Sequence, residues 1–510
     1  PYGTGNTHPR FWGWVHGTGL ASGLLSEMVA ATVNANCGGR NHGMIHVERA
    51  VIDWTRRVMG FPETASGVLV TGTSQATVTA LATARHRALG PEVRKSGNTA
   101  RLTVYAGAGA HNAALKAVEL LGIGSDNLRP VPETGDGMDL DALRAAVARD
   151  RAEGALPIAV IGTAGSVDFG RFDDLSGLAD TARDEGLWLH IDGAFGAWTR
   201  LADAPWRALS DGIERADSLA CDFHKWMYVP YDCGLCLIRD GHEHYATFAA
   251  RPAYLAGHGE GLAGGDPWFC DYGTDLSRGA RALKVWTAIE TYGAAGLGAA
   301  ITDNCRAAAH MGARITATAP LALVEPVISN LCVFTTDARL TADAQSALNT
   351  RISEALQLEG TAVFSTTEAD GRTCLRAAIT NHRTTGADVD AGGALTLNSV
   401  VETSTKFAAI PDNQGRDNPA AHALMEVIAK AKSDMGTFFG ASSGQFFVGE
   451  SGTELTFRLL RAMVLGAPSG PVLGSSVEHP ASRSAARKWA HVSGRAYISV
   501  PHDEDRKSTR

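Results

Sequence analysis

The spacing of apolar and polar positions changes along the chain, and each change predicts a different kind of element. Between residues 20 and 60 apolar side chains recur at helical spacing, first at Leu24, Leu25, Met28 and Val29, then at Val47, Ala50, Val51 and Trp54. The run Gly38-Gly39-Arg40-Asn41-His42-Gly43 divides them into separate helices. From Val68 onward a short apolar run, a turn and an amphipathic helix follow one another repeatedly. Residues 102–105, 158–161 and 187–190 read as buried strands, and stretches such as 142–149 read as the helices between them. Continuous apolar runs alternating with helices predict an α/β fold with a mostly parallel sheet covered on both faces.

Further on the pattern shifts again. Residues 282–318 read as helix, 326–334 and 374–380 as strands, and 342–358 as a helix between them, which predicts a smaller α+β domain. At Gly386 to Gly393 the composition turns to Gly, Ala and Asp. The expected division is a helical segment over 1–60, a large domain over 61–290, the small domain over 291–390 and a separate segment over 394–510.

Composition narrows the class. A chain of 510 residues, 45% hydrophobic and 20% charged, is an ordinary globular protein long enough for more than one domain. Its formal net charge of -8 argues against nucleic acid or an anionic membrane as main partner. No apolar run approaches the roughly 20 residues of a membrane helix, and no signal-like segment opens the chain, so a cytoplasmic enzyme is expected. The first residue is Pro1 rather than methionine, so an upstream part is expected to be missing. Of the eight cysteines only Cys233-Gly-Leu-Cys236 has metal-like spacing; with no second such pair, both read as small buried residues of an apolar strand, and no metal is expected.

The chemistry concentrates in a pair of stretches. His190-Ile191-Asp192-Gly193-Ala194 and Asp222-Phe223-His224-Lys225-Trp226 each close an apolar run, where an α/β sheet delivers side chains to a ligand crevice. A buried carboxylate there keeps a pyridine nitrogen protonated, and a partly desolvated lysine condenses with an aldehyde. Alone, Lys225 reads as a solvated loop residue and Asp192 as a cap; their order and spacing favour a pyridoxal 5'-phosphate site. Gly72-Thr73-Ser74 ahead of a helix offers amides and hydroxyls to a phosphate, or else a simple N-cap.

These stretches resemble the group II pyridoxal-phosphate-dependent amino-acid decarboxylases. The resemblance runs from about His8 to about Asp390 and extends to Thr7-His8-Pro9-Arg10-Phe11-Trp12-Gly13-Trp14, Val70 to Thr77, His111-Asn112-Ala113 and Arg251-Pro252-Ala253-Tyr254-Leu255. It implies an aspartate-aminotransferase-like fold of type I and a homodimer with shared active sites. Lys225 would carry the cofactor as a Schiff base, Asp192 would face the ring nitrogen, and His111 would stack on the ring. Thr73, Ser74, Thr163, Ala194 and His224 would complete the cofactor site. Tyr254, on a Gly-rich loop reaching the neighbouring subunit, would return a proton to Cα, and Arg376 would grip the substrate carboxylate. The expected reaction is L-amino-acid decarboxylation by way of a quinonoid intermediate. The alternative is other chemistry on the same cofactor, such as oxidative deamination, aminotransfer or carbon–sulfur lysis; a non-catalytic scaffold is a third reading.

Departures from the family qualify the transfer. Asp222 stands where the aromatic enzymes have asparagine, and a carboxylate beside phosphate is expected to point away. The position of a threonine under the ring falls at Ala164, beside Thr163. Asn34 and Asn36 fall where aromatic enzymes line the neighbour's substrate pocket with apolar groups, so a polar or acidic amino acid is expected. Beyond residue 394, Phe446 to Glu454 and Val472 to Pro480 resemble the opening third of class V aminotransferases and cysteine desulfurases. The chain ends at Arg510 before any counterpart of the Asp and Lys pair, so this unit is expected to be truncated and either loosely ordered or docked on the first.

Overall fold

The computed structural model describes residues 4–135, 137–250, 260–337, 339–390, 460, 463–466, 470–475 and 480–500. Two helices open it, α1 (Ala21–Val33) and α2 (Gly43–Val58). In α2 Ile45, Glu48, Val51, Ile52 and Thr55 are buried at helical spacing. In α1 the apolar face is exposed instead: Leu24, Leu25, Met28, Val29 and Val33 each keep half or more of their surface accessible.

Chain order then runs β1 (Ser66–Val70), α3 (Thr73–Leu89), α4 (Val93–Ser96), β2 (Leu102–Gly107), α5 (Ala113–Leu120) and β3 (Leu128–Val131). A hairpin of β4 (Glu133–Thr134) and β5 (Gly137–Met138) leads to α6 (Leu140–Ala152), β6 (Leu156–Thr163), α7 (Leu175–Asp184) and β7 (Trp188–Asp192). Next come β8 (Ser218–Asp222), β9 (Gly234–Ile238) and α8 (Gly241–Phe248). Asp139 and Asp174 start α6 and α7 by accepting backbone N–H bonds of the first turn.

Seven strands form the large sheet in the order β1-β9-β8-β7-β6-β2-β3, and only β9 runs against the others. Strands β2, β8 and β9 are buried at every position, as the uninterrupted apolar runs require of a sheet covered on both faces. In register, Thr163 lies beside Asp192 and Asp192 beside Ala220, so β6 and β7 end level and β8 runs on two residues to Asp222.

A second, antiparallel sheet has the order β10-β11-β13-β12, from Ala322–Leu323 (β10), Leu331–Thr335 (β11), Ser365–Ala369 (β12) and Arg372–Ala378 (β13). It packs with α9 (Ala282–Thr316), whose helical path breaks at Gly293, and with α10 (Ala342–Glu359). The strand expected over 326–334 is shorter and later, because Val327 packs from a loop against Gly312 of α9 rather than joining the ladder.

Near the C-terminus, Val472–Ser475 and Tyr497–Val500 pair in parallel across the helix Pro480–Val492. His491 of that helix approaches the backbone oxygen of Asn98 at 3.2 Å and packs on Gly97. No helix among the described residues is long and apolar enough to cross a membrane.

Candidate active site

The C-terminal ends of β6, β7 and β8, together with the start of α3, surround a cavity of about 430 Å³. That volume is typical of a small-molecule site, about 300–1,000 Å³, and its place is where parallel sheets bind ligands. Thr73, Ser74, His111, Thr163, Asp192, Ala194, His224 and Lys225 all line it, so eight predicted positions, spread along the chain from residue 73 to residue 225, meet in one wall.

Lys225 lies in the turn that follows β8, and the turn is fastened on both sides. Trp226 Nε1 and Tyr228 Oη both donate to Asn304 Oδ1 of α9, at 3.0 and 2.9 Å, and Asn304 Nδ2 donates to the Asn381 carbonyl. Both aromatic side chains are fully buried, so their polar atoms depend on this one amide. The Lys225 Nζ lies 2.8 Å from Asp222 Oδ2 and faces the cavity. Burial alone would push this lysine down, but the Asp222 carboxylate, with help from Asp192, outweighs it and raises its pKa.

Asp192 ends β7 with its Oδ1 accepting the Ala194 N–H at 3.1 Å. Burial raises its pKa; Lys225, the Ala194 amide and His111 oppose the rise without cancelling it. His111 sits in the turn ahead of α5, its Nδ1 accepting the Ala113 N–H at 3.2 Å. His224 Nδ1 accepts the Cys233 N–H at 3.0 Å, so its proton sits on Nε2, 3.7 Å from Asp222 Oδ2. Its ring lies 4.5 Å from that of Tyr231.

The residues fit pyridoxal phosphate. Thr73 Oγ1 is buried and has no hydrogen-bond partner among the described residues, an orphan hydroxyl at the first turn of a 17-residue helix where an anion is favoured. Lys225 and Asp192 face the same cavity, as an aldehyde and a ring nitrogen of one cofactor require. The expectation that Asp222 points away is corrected: its Oδ1 accepts the Thr73 N–H at 2.7 Å, which draws it into the cup.

Other predicted positions lie elsewhere. Arg376, on β13, is buried but does not line the cavity; its Nη1 donates to Ser365 Oγ at 3.0 Å, and Nε and Nη2 have no partner among the described residues. Ser365 Oγ also accepts the Trp14 N–H at 3.2 Å, so Arg376 stands one hydroxyl behind the cavity wall. Burial pushes its pKa down to about 10 against the pull of Asp168. Asn34 and Asn36 are exposed and outside this chain's cavity, and Asn36 Oδ1 accepts the Gly38 and Arg278 amides. Tyr254 and residues 446–454 lie outside the described residues.

Sequence reasoning missed part of the wall. Trp14, His16 and Tyr231 line it, and His16 is held low in pKa by burial and by Lys225. Trp14 stands in a stretch that carries the resemblance, which was the available signal. Asp173 lies behind Thr163, accepting its N–H and that of Met138, both at 2.7 Å; burial raises it to about 6. Among the described residues no group of three or more His, Cys, Asp or Glu could hold a metal.

Known proteins place this geometry. Residues 2–337 match the family described as "Pyridoxal-dependent decarboxylase conserved domain". The aromatic-L-amino-acid decarboxylase of Bacillus atrophaeus is 31% identical over 384 residues, 74% of this chain and 78% of that protein. The L-2,4-diaminobutyrate decarboxylase of Rhizobium meliloti (strain 1021) is 29% identical over 381 residues, 74% of this chain and 75% of that protein. The solved structure of Oryza sativa TDC with PLP and tryptamine is similar at a TM-score of 0.71 and 26% identity, covering 78% of this chain and 84% of that one. Sheet order and cavity thus define the class, a pyridoxal-phosphate enzyme of fold type I. Within that class the chain belongs to the pyridoxal-dependent decarboxylase family, whose members here are amino-acid carboxy-lyases.

Proposed function

We propose that this chain removes carbon dioxide from a polar or acidic L-amino acid, with Lys225 and Asp192 as its central pair. The observation that carries the reading is one cavity containing Lys225 Nζ, a half-buried Asp192 and the orphan hydroxyl of Thr73. Thr73 and Ser74 hold the phosphate, His111 covers the ring, and Thr163, Ala194 and His224 complete the cradle. When bound, pyridoxal phosphate supplies an electron-withdrawing ring that takes up the pair left as the bond from Cα to the carboxylate breaks. Asp192, whose proton affinity burial raises, holds the ring-nitrogen proton in place. Arg376 stands behind the wall on Ser365 Oγ, and its Nε and Nη2, without partners among the described residues, would grip a substrate carboxylate only if the side chain turned toward the cavity. Tyr254 delivers the proton to Cα, which decides between an amine and a carbonyl product.

Tyr254, Asn34 and Asn36 act from the neighbouring subunit of a homodimer. The exposed apolar stripe of α1 supports that assembly, because a face of this kind on a helix is a partner surface. Residues 1–60, 61–290 and 291–390 form the helical segment, the cofactor domain and the small domain of a cytoplasmic enzyme. Residues 394–510 are a partial relative of the class V aminotransferases; the parallel pair joined through Pro480–Val492 supports this, and the His491 contact with Asn98 supports the docked form.

A second reading of the substrate, an aromatic side chain, is favoured by Trp14, His16 and Tyr231 in the wall. The test is a panel of amino acids assayed for carbon dioxide against keto acid, ammonia and sulfide. Carbon dioxide with amine from a polar substrate supports the proposal; preference for tyrosine or tryptophan overturns its substrate, and a carbonyl product overturns its reaction.

A further inference from the structure

Asp222 is 1% exposed, and its carboxylate engages two groups that a cofactor would claim. Oδ1 accepts the Thr73 N–H, the first amide of α3, at 2.7 Å, and Oδ2 lies 2.8 Å from Lys225 Nζ. The fold keeps room for it in that position. A Cβ on Gly234 would come within 2.6 Å of Asp222 Oδ1, and one on Gly72 within 3.6 Å. A larger residue at Gly234 would therefore collide with the carboxylate where it stands.

An internal anion thus occupies a phosphate donor and the lysine amine together. We propose that Asp222 is a gate on cofactor capture: its carboxylate pairs with Lys225 and caps α3, and it must yield both to an incoming aldehyde and phosphate. The proposal rests on reading Lys225 as the cofactor lysine. For capture, the Lys225 ammonium gives one proton to solvent and its lone pair bonds to the aldehyde carbon. A C=N bond then forms and the carbonyl oxygen leaves as water.

A carboxylate paired with the ammonium holds back the first of these events. Burial would lower Lys225, yet Asp222 by charge and hydrogen bond, then Asp192 and Tyr231, carry it above the ordinary lysine value. The other titratable groups facing it, His16 and His224, are both lowered by burial and add little positive charge to oppose the pairing. Asp222 is therefore a positioning residue whose effect is read in the pH dependence of capture.

The test mixes cofactor-free wild type and Asp222→Asn with pyridoxal phosphate and follows the visible Schiff-base band across a pH series. The gate predicts capture about tenfold faster in the variant at neutral pH, the equivalent of one pKa unit on the amine, with the rate profile displaced to lower pH. Equal or slower capture with an undisplaced profile overturns it. Should that variant fail to fold, Asp222→Ser, which removes the same charge, carries the comparison: faster capture with a profile displaced to lower pH supports the gate, and a profile like that of wild type overturns it. Borohydride reduction of the wild type separates the two layers. An adduct on Lys225 with an undisplaced profile ends the gate alone, whereas no adduct on Lys225 ends the reading on which it rests.

Discussion

Asp192 and Asp222 close neighbouring parallel strands, one half-buried and one buried, and are driven in opposite directions. Burial raises Asp192, and the charges around it are too few to reverse that. Burial acts on Asp222 as well, but Lys225 and His224, with hydrogen bonds from Lys225 and Thr73, bring its pKa below the ordinary value. A strand end chooses where a carboxylate arrives; its partners choose what it does there. One suits sharing a proton with a ring nitrogen, and the other suits a fixed negative charge.

Removing the lysine that separates them has the largest expected effect. Lys225→Ala loses roughly 10⁴-fold in decarboxylation, the upper range for a covalent or proton-transferring group, and carries no borohydride-fixed cofactor. Asp192→Asn costs about 10²–10³-fold in kcat while cofactor is still trapped on Lys225, as expected for one lost electrostatic partner. Near-wild-type turnover in that variant breaks the contrast, because Asp192 then holds no proton that matters. Asn304→Ala leaves the buried Trp226 and Tyr228 donors unpaired and lowers stability by about 1–3 kcal/mol per donor, read as a reduced midpoint in thermal or denaturant melts.

A smaller effect is expected at Arg376. Arg376→Lys keeps the charge but loses the planar fork, and KM should rise about tenfold with less change in kcat. The smallest effect concerns pH. His190, two residues before Asp192, bonds Ser218 and Thr77 and is lowered by burial to about 3 from 6.5. The unfolded chain binds this proton first, so stability is complete above pH 6.5 and declines as pH falls toward 3. Melting midpoints should follow that course, with a shallower decline in His190→Gln.

Much of the sheet was legible because its strands are unbroken apolar runs bounded by Gly and Asp. The run at 158–161 became the interior of β6, that at 187–190 starts one residue before β7 and stops two short of its end, and helices expected over 282–318 and 342–358 are α9 and α10. Lys225 and Asp192 were legible because their order along the chain matches neighbouring strand ends. The stance of Asp222 was not, since it depends on Gly234 in the antiparallel β9 and on the Thr73 amide far earlier in the sequence. Periodicity likewise revealed an apolar face on α1 without revealing that it stays exposed among the described residues. Nor could residue type distinguish Arg376, whose Nε and Nη2 have no partner among the described residues, from any fully paired strand arginine.

The central claim is that Lys225 and Asp192 serve one cofactor ring. It is tested most directly by reducing freshly loaded protein with borohydride and mapping the modified peptide by mass. The account predicts a pyridoxyl group on Lys225 and its loss in Lys225→Ala. An adduct on a different lysine, or none on protein that has taken up cofactor, contradicts it.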